Sequence, residues 1–204
     1  IGSPFWQPFM IKNLGMSMFY IQIYGIISTF TSLLFLKFWG KLIDYFGNKT
    51  SMRIAIVLGG LNPLVWVFAS RDVYWFIFVE AVTSGIMWAG ASVVMTNFVL
   101  AIAPEKNRQI YSGIFGAATG FAMMTTMLLS GILFPPAMKI LGFSLESEQV
   151  LFALTGITRW SAQIPISFVN EPHGKSVGSL IAFTINFTKV KINDFFQMFS
   201  RNNH

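Results

Sequence analysis

Two residues of opposite charge lie within long apolar stretches of the chain and are the first candidates for chemistry. Glu80 follows Tyr74, near the start of one stretch, by six residues, and Arg159 follows Val150, the start of another, by nine. If the stretches are helical, the two charges lie about 9 Å and about 14 Å from those residues along the helix axes. A charge at mid-membrane costs about 2.5–3.5 kcal/mol, so such residues face a protein interior, pair, or line a pathway. We hypothesise a Glu80–Arg159 pair, acting either as a structural tie or as a proton- or substrate-coupled switch.

Further polar residues follow Glu80 along the same apolar stretch. Ser84 and Trp88 come four and eight residues later, so all three lie on one face of a helix. Asn97 lies further along the stretch. Small and hydroxyl residues also let helices pack closely, so this region has two interpretations, solute contact and helix packing.

The elements that carry these residues are predicted to be membrane-spanning helices. The chain is 54% hydrophobic and only 11% charged, which is typical of integral membrane proteins. Five apolar runs, each close to the length of about 20 residues that a helix needs to cross a bilayer, lie near residues 18–39, 54–70, 73–102, 110–134 and 150–169. They lack the polar face of helices in soluble proteins. We therefore predict an all-α, polytopic membrane protein with about five transmembrane helices.

The distribution of Lys and Arg between the loops predicts the orientation of the spans. Of the fourteen basic residues, ten lie on one side of the predicted membrane and three on the other, while Arg159 lies within a span. The positive-inside rule places residues 40–53, the loop at 104–109 and the C-terminus in the cytoplasm. Since the chain then starts outside and begins with Ile1, we expect further helices upstream. The helices that carry Glu80 and Arg159 run in the same direction.

Glycine and proline positions predict how the spans pack. Gly116 and Gly120 form a small-x-x-x-small ridge, with Gly113 one turn earlier, which favours close contact with a neighbouring helix. Pro63 lies within the second span and frees a backbone carbonyl there.

A charged segment separates the first two spans. Gly40 and Gly47 are predicted to bracket a tight cytoplasmic turn, because glycine permits backbone angles that other residues avoid. We expect Asp44 to accept hydrogen bonds from N–H groups at the start of the next helix. Lys49 and Arg53, four residues apart, are expected to share one helix face at the lipid headgroups.

The spacing of this segment resembles a signature of the major facilitator superfamily. Gly40, Leu42, Asp44, Gly47 and Lys49 match G-x-L-x-D-x-x-G-x-[KR], although Asn48 stands where the family often has a basic residue. The resemblance implies a twelve-helix transporter of two six-helix halves. Residues 1–172 would be part of the C-terminal half, helices eight to twelve, and residues 173–204 a cytoplasmic tail.

The resemblance also assigns roles to particular residues. It implies a cytoplasmic gate element at Gly40, Asp44, Gly47, Lys49 and Arg53. The helix carrying Glu80 corresponds to one that lines the central cavity of the family. The candidates for contact with a substrate or a coupling ion are therefore Glu80, Ser84, Trp88, Asn97 and Arg159.

Several kinds of site find no support in the sequence. Cysteine is absent, and the histidines are His173 and His204, so we expect no metal site, no cofactor and no catalytic cluster. Gly174, Lys175 and Ser176 resemble the end of a phosphate-binding loop, but Val169 stands where that loop requires glycine. The net charge of +6 gathers at the ends of spans, which favours anionic lipids over nucleic acid.

The expected function is transport of a small solute by alternating access, within a secondary active transporter and not an enzyme. The expected partners are the lipid bilayer, the solute with or without a coupling ion, and the N-terminal half of the same protein, without which this half should be inactive. The expected location is the plasma (inner) membrane. The alternative is a polytopic protein without transport activity, such as a membrane enzyme or a signalling or assembly subunit.

Overall fold

The computed structural model describes residues 2–140 and 143–171, which fold mainly into helices. They are α1 (Trp6–Lys12), α2 (Met18–Phe46), α3 (Asn48–Val67), α4 (Ile77–Ile102), α5 (Arg108–Ile132), α6 (Ser147–Ser161) and α7 (Gln163–Ser167). Strands β1 (Met138–Ile140) and β2 (Phe143–Leu145) pair antiparallel between α5 and α6. Short 3-10 turns cover Ser3–Phe5 and Glu105–Asn107. The predicted tail, residues 173–204, lies outside the described residues.

Four helices are long and apolar enough to cross a membrane. They are Met18–Phe46, Asn48–Val67, Ile77–Ile102 and Glu105–Ile132, with the 3-10 turn included in the last, and they have between 20 and 29 residues. The prediction of an all-α, polytopic membrane protein is therefore confirmed. Neither α1 nor the β1–β2 hairpin was predicted from the sequence.

The fifth predicted span, near residues 150–169, is helical but divided into two helices. α6 has 15 residues, or about 22 Å, and ends at Ser161, about one turn before Pro165. Proline has no N–H, and its ring displaces the carbonyl four residues earlier, which here belongs to Ser161. The segment therefore continues as the short helix α7.

Helices α2, α4 and α6 run in one direction and α3 in the other. Asn62 of α3 meets Thr83 of α4, whereas Gly59 of α3 lies against Met87, so residue numbers on the two helices run oppositely. Helices α2 and α4 are parallel, because Gly85 lies against Ser28 and, further along both helices, Gly90 lies against Trp39. Arg53 meets Gln163, and Gly60 meets Gly156, so α6 and α7 also run antiparallel to α3. This confirms that the helices of Glu80 and Arg159 share a direction.

Close packing in this bundle depends on glycines of α3, α4 and α6. A Cβ at Gly85 would collide with the backbone carbonyl of Ser28, and one at Gly156 would lie 2.8 Å from the carbonyl of Gly60. Backbone atoms cannot move aside as a flexible side chain can. The glycines thus set the distance between α2 and α4 and between α3 and α6.

Helix α5, unlike the helices of the bundle, is largely exposed in the described structure. Among its described residues Ser130 alone is buried, and its main neighbour is the adjoining helix α4. A Cβ added at Gly113, Gly116 or Gly120 would meet open space. The predicted packing of these glycines against a helix is therefore not found within the described chain, because no described element lies against their ridge.

An aromatic cluster closes one end of the bundle. Trp6 of α1 stacks on Phe152 of α6 with ring centres 4.0 Å apart, and Trp66 of α3 contacts both rings. Phe9 packs edge-on against Phe152. These contacts hold α1 across the ends of α3 and α6, where it forms part of a cavity wall.

Candidate functional site

A cavity of about 430 Å³ opens between α1, α2, α3, α4 and α6. Its volume lies within the range of small-molecule sites, about 300–1,000 Å³. It collects side chains from four separate helices of the bundle. The polar and aromatic residues that matter for its chemistry are Tyr24, Asn62, Glu80, Ser84, Trp88 and Arg159.

Four of the five predicted substrate or coupling residues meet in this cavity. Glu80, Ser84 and Trp88 reach it from one face of α4, and Arg159 reaches it from α6. Asn97 does not line it, since it lies 17 residues or about 26 Å further along α4 than Glu80. The periodicity of α4 thus predicted the face but not how far along the helix the cavity extends.

Glu80 is held by a tyrosine that sequence reasoning missed. Its carboxyl group is almost fully buried, with 4% of the residue exposed, and Oε2 accepts a hydrogen bond of 2.8 Å from the Tyr24 hydroxyl. Tyr24 lies on α2, which is packed closely against α4. The available signal was a phenol within an apolar span, since a buried hydroxyl requires a partner.

Arg159 is held by a backbone carbonyl that a proline leaves free. Its Nη1 donates a hydrogen bond of 2.9 Å to the carbonyl oxygen of Gly59. In an α-helix that carbonyl would accept from the N–H four residues later, but the residue there is Pro63, which has none. The guanidinium also lies over the Trp88 ring, 6.0 Å from its centre, in a cation–π contact.

The hypothesis of a direct Glu80–Arg159 ion pair is wrong. Among the described residues no carboxylate oxygen lies within 4.0 Å of the Arg159 guanidinium. Each side chain instead binds a neutral partner, Tyr24 for Glu80 and Gly59 for Arg159. Both line the same cavity, however.

Asn62 leaves a hydrogen-bond donor unused in the cavity wall. It is 5% exposed, and its Oδ1 accepts from the Thr83 hydroxyl at 3.1 Å. Its Nδ2 is buried and has no hydrogen-bond partner in the described structure. A buried donor without an acceptor costs about 1–3 kcal/mol, so this group favours a ligand that supplies one.

The charged segment between the first two spans differs from its prediction. α2 continues through Gly40 to Phe46, so the connection to α3 is the single residue Gly47, with φ 87° and ψ 168°. Residues 41–46 contain no helix breaker, whereas Gly47 adopts a backbone conformation that favours glycine. Gly40 lies within a helix facing open space, so it does not bracket a turn.

The start of α3 is capped by Glu171 and not by the predicted Asp44. Glu171 Oε1 accepts from the backbone N–H of Asn48 at 2.9 Å, and Oε2 accepts from that of Lys49 at 2.8 Å. Asp44 is exposed and has no hydrogen-bond partner among the described residues. Because α2 remains helical, Asp44 lies on the exposed surface of that helix. No sequence signal links Glu171 to a helix that begins 123 residues earlier.

Lys49 and Arg53 bind protein, although they were predicted to face lipid headgroups. Lys49 Nζ donates to the carbonyls of Ser167 and Val169, at 2.8 and 2.6 Å, where α7 ends. Arg53 Nε donates to Gln163 Oε1 at 3.1 Å, and Gln163 Nε2 donates to the Arg53 carbonyl at 2.7 Å. We call the set Lys49, Arg53, Gln163 and Glu171 the clamp, because it fastens the first turns of α3 to α7 and to the residues that follow α7.

The fold and the cavity define an all-α, multi-pass membrane protein with a polar site between its helices. A family model described as Major Facilitator Superfamily matches residues 1–142, and the chain belongs to that family. It is therefore a membrane transporter protein that resides in a lipid bilayer. Searches of curated proteins and of solved structures gave no match. The matched residues include Glu80 and the Gly40–Lys49 signature, whereas Arg159 and Glu171 lie beyond them.

Proposed function

We propose that this protein moves a small solute across the plasma (inner) membrane by alternating access, and that the cavity is its solute site. The observation that carries the proposal is that Glu80 and Arg159 line one cavity without pairing with each other. Charges within a membrane protein are costly unless they pair or serve a pathway. An unpaired carboxylate and guanidinium in one cavity are therefore suited to bind a solute, a coupling ion or both.

We further propose that the clamp belongs to a cytoplasmic gate. The uneven distribution of Lys and Arg supports a cytoplasmic position for the α2–α3 connection and for the C-terminus. Nearly all clamp bonds involve a charged group, and they fix α3 to α7. Asp44 remains exposed on α2, and open space lies beside the half-buried Gly40. They are free to meet another part of the transporter when the cytoplasmic side closes.

We assign residues 1–172 to part of the C-terminal half of a two-half transporter. The exposed ridge of Gly113, Gly116 and Gly120 supports this assignment, because close-packing glycines with open space beside them suit a helix interface. In such an arrangement the solute site lies between the halves near the middle of the membrane. Glu80 and Arg159 line the same cavity from helices of the same direction.

The test is solute uptake by the complete transporter in vesicles. Proteoliposomes would be incubated with an isotopically labelled cell extract, and accumulated solutes identified by mass spectrometry. We expect Glu80→Gln to lower uptake by about tenfold or more, since a hydrogen bond to a charged group contributes about 1.5–3 kcal/mol. Glu105→Gln is the matched control, because that carboxylate is exposed at the far end of α4.

Two results would contradict this function. One is the absence of any solute accumulated above the level in protein-free vesicles. The other is full uptake by Glu80→Gln, which would show that the buried carboxylate only joins α2 to α4 through Tyr24.

A further inference from the structure

We propose that the solute is a zwitterion that carries a small aliphatic group, such as a neutral aliphatic amino acid. This inference rests on the proposed transport function and adds the chemical class of the substrate. It combines three features of the structure: an anion and a cation that form no ion pair within the described part of the chain, and an apolar compartment that adjoins both the cavity and the cation.

The anionic site is Glu80. Its hydrogen-bonding neighbour, the Tyr24 hydroxyl, is a neutral donor that orients the carboxyl group without bringing a counter-charge. A primary ammonium group of a ligand offers three donors and a positive charge, which makes it a suitable counter-ion.

The cationic site is Arg159. A guanidinium has five N–H donors, and one of them is bound to the Gly59 carbonyl. The Trp88 ring stabilises the positive charge but accepts no conventional hydrogen bond. The remaining donors suit a carboxylate, which guanidinium binds in a bidentate manner. The unpartnered Asn62 Nδ2 is a further donor in the same cavity.

A ligand with a single charge would satisfy only one of these sites. It would displace water from the cavity while leaving the other charge buried and without a counter-ion, which is strongly unfavourable. A zwitterion brings a counter-ion to both and adds no net charge to the site. The geometry therefore selects against singly charged analogues of the same shape.

The apolar compartment adjoins the cavity at Arg159 and Trp88. It has a volume of about 230 Å³ and lies between α3, α4 and α6. Its remaining walls are formed mainly by Met52, Ile56, Met87 and Met95. Methionine side chains are flexible and adapt to apolar groups of different shape. A ligand whose carboxylate meets Arg159 would thus place an aliphatic side group in this compartment.

The test is binding of four matched probes to the purified complete transporter, measured by titration calorimetry. L-leucine is the complete ligand, 4-methylpentanoate lacks its ammonium group, 3-methylbutylamine lacks its carboxylate, and glycine lacks its aliphatic group. We expect L-leucine to bind about tenfold or more tightly than each of the other three, because each lacks one of the three contacts.

Variants connect each contact to its residue. Arg159→Gln should weaken L-leucine about tenfold or more while leaving the affinity for 3-methylbutylamine nearly unchanged. Glu80→Gln should weaken L-leucine similarly and spare 4-methylpentanoate. Arg71→Gln, at an exposed site between α3 and α4, is the control and should change none of the four affinities.

The outcomes separate this inference from the transport function. If L-leucine does not bind, or binds no better than a singly charged analogue, the zwitterion proposal is overturned. If the uptake experiment finds a singly charged or neutral solute, the proposed transport function is supported and the proposed zwitterionic substrate is wrong. Unchanged L-leucine affinity in both variants would also overturn the assignment of Glu80 and Arg159.

Discussion

Glycines occur both in the bundle of α2, α3, α4 and α6 and on the neighbouring helix α5. In the bundle they are packed against other helices, whereas on α5 they are not. In the bundle, Gly60, Gly85, Gly90 and Gly156 lie directly against a side chain or backbone of another helix. On α5, three glycines at similar spacing face open space. The comparison shows that a ridge of small residues permits close approach but does not create it. What distinguishes the bundle is a large or rigid partner opposite each glycine, such as Trp39 opposite Gly90.

The largest effect is expected for Gly85→Leu in the bundle. Its Cβ would collide with the Ser28 carbonyl and with Thr31, so α2 and α4 would have to separate. Overpacking of this kind costs about 3 kcal/mol when backbone must move. We expect a clearly lower melting temperature of the purified complete transporter, measured by size-exclusion chromatography after heating. Gly131→Leu on α5 is the control, since open space lies beside Gly131.

Equal melting temperatures for Gly85→Leu and Gly131→Leu would contradict the difference in packing between the bundle and α5. That result would mean that α2 and α4 are not in backbone contact at Gly85.

A smaller effect is expected for Glu171→Ala in the clamp. The substitution leaves the N–H groups of Asn48 and Lys49 without their acceptor at the start of α3. Loss of a helix N-terminal cap costs up to about 2 kcal/mol. We expect thermal stability to fall and hydrogen exchange to accelerate at these amides. Glu105→Ala should change stability by less than about 0.5 kcal/mol, since its one ion pair is exposed.

Unchanged exchange at Asn48 and Lys49 in Glu171→Ala would remove Glu171 from the clamp. The bundle would then be fastened to α7 by Lys49 and Arg53 alone.

The sequence predicts features that depend on neighbouring residues, and it does not predict contacts between residues far apart in the chain. The spans and the shared face of Glu80, Ser84 and Trp88 could be predicted, because hydropathy and helical periodicity are local properties. The Arg159–Gly59 bond could not, although the carbonyl freed by Pro63 was visible in the sequence. Its partner lies 100 residues away, and nothing local identifies which polar group will reach it.

The charged segment was mispredicted because its residues support two conformations. Lys41 to Phe46 can form a solvated turn or continue a helix, and only the positive φ at Gly47 was a firm local constraint. Once α2 continues, Asp44 remains exposed on the surface of α2 and Glu171 takes the capping position. The tertiary contact of α3 with α7 therefore decided the role of each charge.

The smallest effect is expected for Gly116→Leu, which tests whether the glycine ridge of α5 packs against another helix. Within this chain the new side chain meets open space, so the bundle alone predicts no loss of stability. If α5 packs its glycine ridge against another helix of the complete transporter, as proposed, overpacking should cost about 1 kcal/mol and lower the melting temperature slightly. Gly131→Leu, in open space toward the end of the same helix, controls for the intrinsic effect of the substitution. Identical melting temperatures for the two variants would mean that lipid covers the ridge, and the assignment of α5 to an interface between halves would be wrong.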